Sequence, residues 1–119
     1  MLRTLGVSAV LALPQLALAG GGPANTLVLY NDGDADAPAT AAYYAEGRQL
    51  PPGHTCPVTG IDPSSRTLPF ADYEALVLPA LDDCLAALPQ PEEIDVLVLV
   101  RGLPYRVDLS GYHTSLSAM

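Results

Sequence analysis

The chain has 119 residues, a formal net charge of −8 and no Lys, its five basic residues all being Arg. An acidic chain of this kind argues against nucleic acid and anionic membrane surfaces as partners. The length supports one small core, since a chain of about this size buries only ~60–70% of its unfolded surface.

The first nineteen residues read as a secretory signal peptide. Arg3 supplies the positive start, Leu5 to Leu13 a short apolar core, and Ala17-Leu18-Ala19 a small-residue cleavage site. The apolar run is shorter than the ~30 Å of hydrocarbon requires, and Pro14 interrupts it. Cleavage after Ala19 leaves residues 20–119 as a single α/β domain, secreted or periplasmic, with no stable membrane insertion.

Thr26 to Tyr30 is apolar and β-branched and reads as a first strand. Asn31 to Asp36 is a polar loop. Ala37 to Gln49 reads as a helix with Ala41, Tyr44 and Ala45 turned to the core and Tyr43 beside them, stopped by Leu50-Pro51-Pro52-Gly53. Thr55 to Val58 is a short second strand weakened by Pro57. Asp62 to Ser65 is a turn. Phe70, Tyr73, Val77, Leu81, Cys84 and Leu88 recur at helical spacing, which predicts one helix from Phe70 to Leu88, kinked at Pro79.

Ile94 to Val100 is the strongest strand signal. Val96 to Val100 is apolar on both faces, as a central strand of a covered parallel sheet requires. Arg101-Gly102-Leu103-Pro104 breaks it. The predicted order is β-α-β-α-β, with three or more mostly parallel strands and helices on both faces. Ser115 to Met119 reads as the opening of a further helix, so the expectation is an amino-terminal fragment of a larger doubly wound sheet, incomplete at its carboxyl end.

Three groups of residues are candidates for chemistry. Asp32, Asp34 and Asp36 alternate as in calcium loops, but an EF-hand loop needs Gly at its sixth position and Glu at its twelfth. Ala37 and Tyr43 stand there, so the plainer reading is a helix cap, and no metal or other cofactor is expected. Cys56 and Cys84 are read first as a disulfide, from the exported compartment and from their places at a strand start and a helix end. Reduced buried thiols and a catalytic Cys remain the alternatives, with His54 a poorly spaced base.

The third group lies at the strand tips: Asn31, Asp32 and Asp34 after the first strand, and Arg101, Gly102 and Arg106 after the strongest one. Adjacent strands would bring these tips to one shallow crevice, where open α/β sheets bind ligands. Arg101 could hold a carboxylate or phosphate, or pair with Asp32 or Asp34 and organise the loops. No G-x-S-x-G elbow, P-loop, G-x-G-x-x-G or zinc spacing occurs.

Four pieces of the chain together resemble a family. They are Leu27 to Asn31; Ala41 to Ala45 with Arg48 and Pro51; Tyr73 with Pro79 and Leu85; and Ile94 to Val107 with its Arg-Gly-x-Pro turn. The chain resembles an uncharacterised family of exported bacterial proteins that accompanies the exosortase protein-sorting system. Family members are longer and usually carry a Ser near the position of Asp34.

The resemblance implies export, an α/β fold and components of cell-surface protein sorting as partners. It implies no established reaction, so enzymatic activity is left open. The expected function is that of a binding or accessory protein. The alternative is a hydrolase with a caspase- or gingipain-like sheet whose catalytic residues lie beyond this chain, since no His-Gly turn follows a strand here and no Cys follows the Ile94 to Val100 strand.

Overall fold

The computed structural model describes residues 22–119. The signal-peptide reading, with its cleavage after Ala19, lies outside the described residues. The architecture is mixed α/β, with two three-stranded sheets. No described helix is long and apolar enough to cross a membrane.

The first sheet is parallel, in the order β2-β1-β4, from β1 (Thr26–Asn31), β2 (Thr55–Val58) and β4 (Val96–Leu99). Central β1 is almost wholly buried, with Leu27, Val28 and Leu29 at its heart. Each such side chain contributes about 1.5–3 kcal/mol on burial. Alternate residues serve opposite faces. Val28 joins Ala37, Ala41 and Val100 on one side, while Leu27 and Leu29 join Cys56, Val58, Tyr73 and Val77 on the other. Edge position explains how β2 tolerates Pro57, which lacks an N–H for a second neighbour.

The strongest strand signal belongs to an edge strand. Val96 to Val100 was expected at the centre, but β1 holds that place and β4 flanks it. β4 is only partly covered, with Val96, Val98 and Leu99 half-buried and Leu97 exposed, so its apolar run does not mark a strand buried on both faces. The run says nothing about neighbours within the sheet.

Helix α1 (Ala37–Gly47) packs on one face through Ala37 and Ala41. Tyr44 lies partly buried against that cluster, whereas Tyr43 is 81% exposed. At its end Gln49 takes a left-handed φ of 55°, and the Leu50 N–H reaches back to the Ala45 carbonyl. That is the helix-ending turn usually made by Gly.

The opposite face carries a broken helix, not one continuous helix from Phe70. A turn of α2 (Phe70–Asp72) leads into a π-helical turn over Tyr73–Val77, and α3 (Leu78–Ala86) follows. The Leu78 N–H bonds the Tyr73 carbonyl, five residues back. Pro79 supplies the physical reason. It has no N–H, and its ring crowds the preceding turn, so the backbone widens just before it. Phe70 is drawn off the apolar stripe and stacks on Tyr73 at the surface, 6.1 Å between ring centres.

The second sheet has no counterpart in the predicted β-α-β-α-β order. It joins β3 (Thr67–Pro69), β5 (Arg106–Leu109) and β6 (Tyr112–Ser115) in the order β3-β5-β6. β3 is parallel to β5, and β5 forms a hairpin with β6. Leu68 and Val107 tie this sheet to the main core. The segment read as a helix opening is a single 3₁₀ turn, Leu116–Ala118, whose Leu116 plugs the same core.

Candidate functional site

β1 and β4 are adjacent and parallel, so their carboxyl-end loops meet. Asn31 is the knot between them. Its side chain is fully buried, and its Nδ2 donates to the carbonyls of Ile61, at 3.1 Å, and Gly102, at 3.0 Å. Its Oδ1 accepts the Gly33 N–H at 3.0 Å. One amide therefore fastens the loops after β1, β2 and β4. Every polar atom of that amide is occupied from within, so Asn31 forms the floor of the strand-tip region.

Asp34 is also committed to structure. Its Oδ1 accepts from the backbone N–H groups of Asp36, at 2.9 Å, and Ala37, at 3.1 Å, and so caps α1. The carboxylate presses against Gly102. A Cβ placed on Gly102 would lie 2.8 Å from Asp34 Oδ2, and the Gly102 φ is +112°. Position 102 thus requires glycine for two separate reasons: the close approach and the backbone angle. Pro104, fully buried, anchors the rest of the turn.

Asp32 is exposed and accepts the Thr59 hydroxyl at 2.5 Å, linking the tips of β1 and β2. Arg101 is exposed, and among the described residues it forms no ion pair. The expected pairing with Asp32 or Asp34 is not made, because Asp34 caps α1 and Asp32 holds Thr59. Arg106 stands apart from the tips. Its Nε donates to Thr67 Oγ1 at 2.6 Å, and its guanidinium lies over the Tyr105 ring. Of the six residues proposed for ligand contact, only Asp32 and Arg101 offer polar groups to solvent from the tips. They do so on an open surface.

Cys56 and Cys84 are joined in a disulfide, with Cα atoms 5.9 Å apart. The bridge ties β2 to α3 across the main core. His54 is buried, and its Nδ1 donates to the Thr26 carbonyl at 2.8 Å. This pins the start of β1 to the chain entering β2. Neither half of a Cys-His pair is therefore free in this state.

Sequence reasoning missed Thr59 and the Ile61 carbonyl, the partners on the β2 side. Nothing in the sequence signals them, because their role depends on β2 lying beside β1. It also missed a groove of about 440 Å³ between β4 and α3, bordered by Leu78, Leu81, Asp95, Leu97, Leu99 and Met119. No family model, curated protein or solved structure matches this chain.

Proposed function

We propose that this chain is an exported binding or accessory protein of a cell-surface protein-sorting system. It acts in the secreted or periplasmic space after cleavage behind Ala19. The observation that carries this reading is the Cys56–Cys84 disulfide. Disulfides persist in oxidising compartments, and this one occupies the chain's only two thiols. The open strand-tip surface is suited to a macromolecular partner, since small-ligand sites enclose most of what they bind. Asp32, Asp36 and Arg101 are solvent-facing charged groups on it. The resemblance of Leu27 to Val107 to the exosortase-associated family supplies the partner class.

Photo-crosslinking in cells, with the probe at position 32 or 101, tests this. The expected product is a conjugate with an envelope protein of the sorting system. Hydrolytic turnover by the purified protein, abolished by Arg101→Ala, would overturn the reading and put the hydrolase alternative first.

A further inference from the structure

β4 has one neighbour in the sheet and one unpaired edge. Val96-Leu97-Val98-Leu99 pairs with β1 on one side, and among the described residues no strand pairs with its other side. Edge strands are normally protected by Lys, Pro, an inward charge or cover. Val96 to Val100 contains none of these residues. Leu97 is 47% exposed, although its partner across the β1 ladder, Leu27, is fully buried. The groove between β4 and α3 continues this apolar surface through Leu78, Leu81 and Met119.

An unpaired backbone edge accepts an extended strand, and the charges choose which one. Asp95 and Arg101 stand three residues to either side of Val98, and both are exposed. A strand run antiparallel to β4 and centred on Val98 meets Asp95 with whatever occupies its own position 101. The β4 segment itself satisfies that requirement. We infer that the free edge of β4 pairs antiparallel with β4 of a second copy, forming a two-fold dimer with a continuous six-stranded sheet.

The pairing places Val98 against Val98 at the axis, Leu97 against Leu99, and Asp95 against Arg101 twice over. An isologous interface repeats each contact, so the charge pair counts double. Opposite charges directly across an antiparallel pair favour it, and like charges oppose it. The register thereby offsets part of the repulsion between two chains that each carry −8. This inference does not depend on the functional reading, although it draws on Arg101, which also stands on the strand-tip surface.

Sedimentation equilibrium of the purified chain and four variants tests it. The unsubstituted chain is expected to reach twice the monomer mass as concentration rises. Asp95→Arg and Arg101→Asp should each weaken association by about tenfold, since each replaces two attractive contacts by two repulsive ones. The double variant should recover association to within about threefold, because both pairs are restored in reverse. Leu97→Glu should remain monomeric with an unchanged far-ultraviolet circular dichroism spectrum, its side chain being half exposed in the single chain. A monomer at every concentration would overturn the proposal. So would a dimer indifferent to both charge reversals, or a strand from another protein found paired along β4.

Discussion

Single residues at the strand tips are spent on holding loops together. Asn31 makes three hydrogen bonds from a fully buried position. Asn31→Leu removes them and strands the Ile61 and Gly102 carbonyls and the Gly33 N–H. The expected loss is about 2–4 kcal/mol in urea unfolding, more than a typical surface change causes. Gln49 offers the opposite case. Its left-handed φ of 55° costs a side-chain-bearing residue about 1 kcal/mol, so Gln49→Gly should raise stability by about 0.5 kcal/mol after the extra freedom of unfolded glycine. Asp62 gives a prediction in pH. The Ser64 hydroxyl, and then the Ser64 N–H, donate to its carboxylate and hold its pKa below the ordinary carboxylate value, against a small opposing effect of desolvation. A depressed carboxyl pKa contributes stability above the unfolded pKa, and that contribution is lost as pH falls through the folded one. Ser64→Ala should therefore move the Asp62 titration upward in a carboxyl-detected NMR experiment and lower neutral-pH stability slightly, the group being exposed.

At the scale of elements, the disulfide joins β2 to α3 covalently. It closes 28 residues of chain between β2 and α3, which in the chain-entropy model contributes about 3.5 kcal/mol. Replacing both cysteines by Ala should lower unfolding stability by about 2–4 kcal/mol while leaving the β1–β4 pairing intact. Guanidinium unfolding of the variant beside the oxidised protein measures the loss.

The elements legible in the sequence share one property: their signals are local. β1 and β4 are apolar runs, β2 is a short run before Thr59-Gly60, and α1 has an Asp ahead of it and a Pro-rich stop behind it. The second sheet lacked such signals. β3 is three residues long and ends in Pro69, and its pairing depends on β5, which lies 39 residues further on at the Thr67–Arg106 position. The β5–β6 hairpin did carry a signal that went unread. Arg106-Val107-Asp108-Leu109 alternates, and Ser110-Gly111 then makes a two-residue turn with Gly111 at φ +100°. In α2 and α3 the helical spacing was legible, but the effect of Pro79 was visible only as a kink. The π-helical turn needs the backbone around it. At the tips, the residue types were legible and their uses were not. Asn31 and Gly102 look like ligand contacts in sequence, and only the adjacency of three strands turns them into a fastening.

The whole molecule joins a packed, cross-linked core to an exposed apolar edge at β4. A parallel sheet is covered on both faces, a second small sheet closes one end of the core, and a covalent bridge spans strand and helix. The β4 edge is an open edge of this sheet without the Pro that β2 carries, and the strand tips present Asp32 and Arg101. Both surfaces are open to solvent. The functional proposal is that contact with a partner takes place outside the cytoplasm, on a chain whose two thiols are joined in a disulfide. The most direct measurement is intact and peptide mass spectrometry of the protein isolated from cells without reductant. The expected result is a chain beginning at Gly20, with the peptides containing Cys56 and Cys84 linked. A chain that retains Met1, with both cysteines open to alkylation, would contradict it.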